Sequence, residues 1–265
     1  MMMKTPLVTV VIPSYNKAKF IIKAIKSVQN QSLKHWKALI IDDASTDATE
    51  NIVLPIIKDD RRFNYIKLEK NIGISAVLQY ALNKIDTKYF VQLDGDDWLE
   101  KDALQLLVHK METSSENAAV AYGNLVRWQQ LKKKKRKKLI THKQLQDKYD
   151  FITYHPMFYP RFYKTDAVKA VGGWSTNVPH GGRYSEDRQI LLKLIPHFSF
   201  LHVNEHLYNH RIHDTNNSGK ENLDKYAQVN RYLYEKALKD WGNEYEPVFT
   251  WINGRLKVKK LNKKT

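Results

Sequence analysis

The sequence predicts an α/β fold, a mostly parallel sheet with helices on both faces. β-Branched apolar runs alternate four times with amphipathic helical patterns, the links between them are short, and two of the runs end in clustered aspartates. Strands joined through helices by short links pair parallel through right-handed crossovers, which makes this half of the chain Rossmann-like. Ligands bind at the carboxyl ends of such strands. A chain of 265 residues, 42% of them hydrophobic, suffices for one large domain with appendages.

Residues 7–12 are a β-branched run ended by Pro13. After the loop Ser14-Tyr15-Asn16, the apolar positions Phe20, Ile21, Ala24, Ile25 and Val28 recur at helical spacing. Residues 37–41 give a second strand that runs into Asp42-Asp43-Ala44-Ser45-Thr46-Asp47, with Asp47 the expected N-cap of a helix carrying Ile52, Val53, Ile56 and Ile57. A third strand, 64–68, leads through Asn71-Ile72-Gly73 into a helix bearing Ile74, Val77, Leu78, Ala81 and Leu82. The fourth strand is 89–93. A helix at about 101–114 and a strand at 118–126 follow, and the basic run 132–138 reads as an exposed loop or hairpin. Residues 151–163 are rich in Tyr, Phe and Pro, which predicts an irregular wall. A short helix at 165–171 stops at Gly172-Gly173, and a second, 184–194, opens with Ser185-Glu186-Asp187. Two strands at 198–203 and 206–212 precede a carboxy-terminal amphipathic helix at 223–241.

No run of 18 apolar residues exists and the Met-Met-Met-Lys start lacks the pattern of a signal peptide, so the expectation is a cytoplasmic protein, peripheral at most on the inner face of the membrane. Zero cysteines exclude disulfides and thiolate metal sites; a metal here is held by oxygen or imidazole. The net charge of +16 is local. Seven basic residues form the run 132–138, and the tail adds Arg255, Lys257, Lys259, Lys260, Lys263 and Lys264, so removing these thirteen leaves a nearly balanced body. Neither run carries the interleaved aromatics that base stacking needs, which argues against nucleic acid. Attraction to an anionic membrane surface, about 1 kcal/mol per basic residue near lipid, is the reading preferred over a solvated loop and a frayed terminus.

The chemistry concentrates at 89–97, Tyr-Phe-Val-Gln-Leu-Asp-Gly-Asp-Asp. Asp94, Asp96 and Asp97 repel one another unless a cation or ligand donors neutralise them, and hard oxygen ligands of this kind suit Mg²⁺ or Mn²⁺. Gly95 lets the chain turn so that Asp94 and Asp96 face one site. Parallel strands end on the same side, so Asp42-Asp43 and the 94–97 cluster edge one crevice. Arg211 and His213 are two residues apart on a predicted strand and point the same way.

In their order, these elements resemble the family-2 inverting glycosyltransferases of the GT-A fold. The matching elements are Val10-Val11-Ile12-Pro13-Ser14-Tyr15-Asn16, the Asp42–Asp47 turn, Asn71-x-Gly73, Asp94-x-Asp96, Gly172-Gly173-Trp174, Glu186-Asp187 and Tyr208-x-x-Arg211-x-His213. The resemblance covers about residues 5–218. It implies a GT-A catalytic domain over 1–218, with a nucleotide-binding half at 1–115 and an acceptor half at 116–218 that includes the basic loop; it does not cover residues 219–265, which read as a carboxy-terminal helix and a basic tail.

The resemblance further implies a metal-dependent transfer of sugar from a nucleotide-sugar donor, UDP-linked, to a glycan or lipid-linked acceptor in cell-surface polysaccharide biosynthesis. Asp187 resembles the general base. Pro13, Ser14, Tyr15, Asp43, Asp94 and Gly95 resemble the nucleotide-binding residues, and Asp96 with Asp94 the ligands of Mn²⁺ or Mg²⁺. Glu186, Trp174, Arg211 and His213 are expected at the diphosphate or acceptor. Two features depart from the pattern: Leu78-Gln79 stands where many relatives carry Arg-Asn, and the loop Pro179-His180-Gly181-Gly182-Arg183 is rich in glycine and basic residues, an expected acceptor loop that orders on binding. A sugar-nucleotide pyrophosphorylase is the alternative enzyme, but it needs a glycine-rich basic loop where this chain has Pro-Ser-Tyr-Asn. A basic nucleic-acid-binding protein is the non-catalytic one, and crevice carboxylates repel phosphate.

Overall fold

The computed structural model describes residues 5–130, 135–214 and 219–265. The amino-terminal half alternates β1 (Val8–Ser14), α1 (Ile21–Gln29), β2 (Trp36–Asp42), α2 (Thr49–Ile57), β3 (Phe63–Lys67), α3 (Ile74–Leu82) and β4 (Tyr89–Gln92). β1 pairs parallel with β2 on one side and with β4 on the other, and β2 pairs parallel with β3. Every residue of β1 and β4 is buried, as in a sheet covered on both faces. Alternation divides them: Val8, Val10 and Ile12 pack with Ile21, Ala24, Ile25 and Val28 of α1, while Val11 joins Leu39, Ile41 and the Val77, Leu78, Ala81 and Leu82 face of α3. The expected cap Asp47 lies one residue further out, α2 starting at Thr49, whose amide donates to Asp47 at 3.0 Å.

The second half comprises β5 (Trp98–Leu99), α4 (Ala103–Thr113), β6 (Ala118–Gln130), β7 (Lys135–Ile140), α5 (Lys148–Thr153), β8 (Tyr159–Lys164), α6 (Thr165–Ala170), α7 (Glu186–Leu194), β9 (Ser199–Ile212), α8 (Leu223–Asp240), β10 (Tyr245–Ile252) and β11 (Arg255–Lys263). Among the described residues one sheet runs in the order β3-β2-β1-β4-β8-β6-β9-β5, with β7 on β6, and β10-β11 form a separate pair. The strand direction reverses at β8, which pairs antiparallel with both β4 and β6.

Three local expectations change, and the hairpin expected at the basic run is found among the described residues. The irregular wall at 151–163 is instead α5 and the central strand β8. Pro160 is accommodated because β8 pairs irregularly with β6 between Ala121 and Gly123, where a missing N–H is tolerated. The two strands expected at 198–212 are one bent strand, its register with β6 slipping around Asn124. In the basic run, residues 135–138 belong to β7, antiparallel to β6, while Lys132, Lys133 and Lys134 lie outside the described residues. The tail is an ordered hairpin. Asn253 and Gly254 turn it at φ 51° and 72°, the geometry of a two-residue hairpin loop, and Leu256 and Val258 are buried between α5 and α8.

Candidate active site

A cavity of about 990 Å³ opens past the carboxyl ends of β1, β2 and β4, where Pro13, Ser14, Tyr15, Asp43, Asp94, Gly95 and Asp96 line it. Glu186 and Asp187, from the first turn of α7, line the same cavity, and β11 and α8 close its far wall. The aspartates at the cavity have separate partners. Asp43 accepts from the amides of Ile72 at 2.7 Å and Gly73 at 2.9 Å, fixing the turn into α3. Gly73 sits at φ +84°, and a Cβ there would come within 2.9 Å of Arg183, which itself bonds Asn71. Asp42 is a turn residue, accepting from the Ser45 amide and the Tyr65 hydroxyl.

Asp97 is buried and takes the Tyr208 hydroxyl at 2.9 Å and the Arg211 amide at 2.7 Å. Burial, then the charges of Asp96 and Asp94, push its carboxyl well above the usual range, and it ties the turn to β9. Asp96 accepts from Lys17 Nζ at 2.6 Å and meets His213 Nε2 at 3.0 Å. Burial works against its charge, but His213 and Lys17 hold it below the usual carboxylate range. Gly95 serves close approach: a Cβ there would meet Ile21 at 3.2 Å and Lys17 and the Pro13 carbonyl at 3.3 Å. Asp94 faces the other way, accepting from Gln92 at 3.0 Å and from Arg161 Nη2 at 3.1 Å.

Arg161 is the centre of the arrangement. Only 1% exposed, it reaches Asp94 with Nη2 and Asp187 with Nη1 at 3.2 Å. Burial opposes its charge, yet Asp94 and Asp187 keep the guanidinium protonated. Beside Asp187, burial and then the Asp187 charge push the Glu186 carboxyl up to about 8. Ser185, heading α7, holds a left-handed φ of 56°, a strained conformation for a residue with a side chain, at the point that aims both acids.

The remaining expected residues stand further back. Trp174 is a core residue, packed near Phe90 and Tyr163, and it touches the site only by donating from Nε1 to the Glu186 carbonyl at 3.1 Å. Arg211 and His213 do share a side, but that side backs Asp96: Arg211 Nε donates to the Asp96 carbonyl at 2.9 Å and His213 stacks on Phe20. His210 and Ile212 line the cavity instead. Gln79 receives the Trp174 amide at 2.8 Å, so it braces the Gly172-Gly173-Trp174 loop. Pro179–Gly182 is an ordered turn bonded to α8 through His180 and Gln228. Sequence reasoning missed Arg161, Lys17, Arg188 and the β11 wall. The signal for Arg161 was a charge inside an aromatic run, Tyr159-Pro160-Arg161-Phe162-Tyr163, which is costly unless paired.

Among the described residues no three His, Asp or Glu side chains gather into a metal cluster. The donor chemistry nevertheless fits a hard divalent cation at two points. Asp96 and His213 lie 3.0 Å apart, and the ammonium of Lys17 already sits on the Asp96 oxygen as a cation would.

The family described as Glycosyl transferase family 2 matches residues 9–172. The chain belongs to that family. Against this family 2 member, the putative teichuronic acid biosynthesis glycosyltransferase TuaG of Bacillus subtilis is 40% identical over 100 residues, which cover 38% of the chain and 40% of TuaG. Chondroitin synthase of Escherichia coli is 26% identical over 92% of the chain and 35% of that protein. The family 2 chain therefore spans well under half the length of these curated relatives. Its fold is shared with S. aureus TarS 1-349 in complex with UDP-GlcNAc, at TM-score 0.66 and 17% identity over 87% of the chain and 66% of TarS. It is also shared with the mannosyltransferase PcManGT of Pyrobaculum calidifontis in complex with GDP-Man and Mn²⁺, at TM-score 0.65 and 16% identity over 89% and 65% of the two chains. No helix among the described residues is long and apolar enough to cross a membrane.

Proposed function

We propose that this chain transfers a sugar, with inversion, from a UDP-linked donor to a hydroxyl of a glycan or lipid-linked acceptor in cell-surface polysaccharide biosynthesis. The observation that carries the reading is the Arg161 bridge, which joins Asp94 of the donor-side loop to Asp187 of α7 across one cavity. Asp187 takes the proton of the attacking hydroxyl as that oxygen bonds the anomeric carbon; the bond from that carbon to the diphosphate breaks, and its electrons leave with the nucleotide. A single displacement inverts the centre. Glu186, its carboxyl raised to about 8, holds a proton at neutral pH and adds no second negative charge beside the base.

Pro13, Ser14, Tyr15, Asp43, Asp94 and Gly95 bind the nucleotide, and the Ser14 hydroxyl, buried and without a partner among the described residues, is available to it. Asp96 and His213 would hold Mn²⁺ or Mg²⁺, with Asp94 alongside. When bound, that cation stabilises charge developing on the departing diphosphate. The acceptor arrives from an anionic membrane surface: at the tip of the β10-β11 hairpin Trp251 is 58% exposed and Ile252 42%, with Lys259 and Lys260 exposed further along β11. Sugar release from UDP-, dTDP- and GDP-sugars, followed with and without Mn²⁺, tests the reading. Mn²⁺-dependent hydrolysis of UDP-sugars supports it, hydrolysis of another class alone overturns the UDP assignment, and no turnover or binding of any nucleotide sugar overturns the whole reading.

A further inference from the structure

The cavity extends well past the donor carboxylates, and its far wall has the opposite charge. Arg188 of α7 and Arg255 and Lys257 of β11 line it together. Arg188 is only 5% exposed, and its Nη1 has no hydrogen-bond partner among the described residues. Its guanidinium lies 5.2 Å over the Tyr234 ring and 5.8 Å over that of Phe151, so two aromatic rings pack near it. Lys257 donates to the His155 carbonyl at 3.2 Å. Burial, then Arg188 and Arg255, push its ammonium down to about 8, and Asp187 alone opposes them. The other acids lining this part of the cavity are Glu186, protonated at neutral pH, and Glu221, exposed at its edge.

A buried arginine with an unmade bond, next to two further cations, is a costly arrangement for a protein to keep empty. It becomes favourable when a ligand supplies the anion, because guanidinium and ammonium groups make their strongest hydrogen bonds to phosphate or carboxylate oxygens. The site also has a direction. Arg188 directly follows the proposed base Asp187 in α7, and Tyr226 lines the same cavity as both. Asn230 lines the wall too, and its Oδ1, buried and without a partner among the described residues, suits a hydroxyl of the same ligand.

We propose that Arg188, Arg255 and Lys257 form an anion-binding acceptor subsite, so that the acceptor carries a phosphate or carboxylate group close to the hydroxyl that is glycosylated. The proposal rests on the transferase reading, and its test keeps the two apart. The full chain is saturated with UDP and Mn²⁺ to occupy the donor site, then titrated by calorimetry with methyl phosphate, methyl glucuronide and, as the neutral control, methyl glucoside. Both anions or one of them should bind and the glucoside should not. Lys257→Met and Arg255→Gln should each weaken the anion at least tenfold while UDP affinity stays within twofold, which also reports that the variants fold. Stronger binding of methyl phosphate assigns a phosphorylated acceptor, and stronger binding of the glucuronide an acidic sugar; either supports the subsite. Equal response to anions and glucoside, or anion binding unchanged in both variants, overturns the subsite and leaves the transferase intact. Absence of UDP binding in the wild type overturns both.

Discussion

Arg161 and Asp187, 26 residues apart and on different elements, meet at 3.2 Å on the wall of the cavity, and the same guanidinium holds Asp94. One cation thus ties Asp94 to the proposed base. Arg161→Met leaves both acids without their counter-charge. Breaking a buried pair costs about 3–5 kcal/mol, and the 31% exposure of the Asp94 side chain puts the expected loss at the lower end. Urea unfolding of the variant checks this, and a midpoint equal to wild type would show that the bridge does not hold the site together.

Asp96→Asn should weaken Mn²⁺-dependent UDP binding and lower turnover by about 10² to 10³-fold, the scale for removing one electrostatic stabiliser of a transition state. Lys17 and His213 both lose their ionised partner in this variant. Metal titration and single-turnover rates read the two effects separately; unchanged values in both would remove Asp96 from the metal site.

Asp187→Asn separates binding from chemistry. Nucleotide affinity should stay within a few-fold, while transfer falls by about 10² to 10⁴-fold, the usual range for a general base. A variant that transfers sugar at near-normal rate would exclude Asp187 from proton removal.

Glu186 gives a pH signature in stability. Its carboxyl is raised to about 8 in the fold against 4.5 unfolded, so between these values the folded chain holds a proton that the unfolded chain has released. Its contribution is complete below about pH 4.5 and is lost as pH rises through 8. Glu186→Gln removes that dependence, so its stability relative to wild type should improve from pH 5 to pH 9, with a limiting slope of about 1.4 kcal/mol per pH unit. Denaturant midpoints of the two proteins at pH 5, 7 and 9 test it, and parallel pH curves would refute it.

Docking through the hairpin and the basic residues should depend on salt. Cosedimentation with anionic vesicles is expected to fall as the Debye length shrinks from about 10 Å at 0.1 M to 3 Å at 1 M. Trp251→Ala should reduce it at low salt as well. Equal binding to neutral vesicles, or none to either, would leave these residues simply solvated.

The parallel half of the sheet was legible because short runs rich in apolar β-branched and aromatic residues alternate with helical patterns, and the acidic turns followed from parallel strands sharing an end. β8 was not legible: Pro160 and the crowded aromatics of 159–163 obscure a period-two pattern that sends Phe162 and Tyr163 to opposite cores. Nor was the hairpin, although Leu256 and Val258 alternate with Arg255, Lys257 and Lys259; net charge drew attention away from that alternation. In the site, the carboxylates were found because repulsion among neighbours is visible in sequence. Arg161 was not, since the two acids that compensate it lie 67 and 26 residues away.

The separateness of the β10-β11 hairpin has a consequence for the cavity. Among the described residues it pairs with no strand of the main sheet, and it lies beyond residues 9–172, which the family model matches. Replacing these last two strands would exchange Arg255 and Lys257 for other side chains without disturbing a single ladder that carries the donor-side aspartates. On the proposed reading, change confined to these two strands alters the cationic wall of the cavity while the carboxylates at the ends of β1, β2 and β4 stay in place.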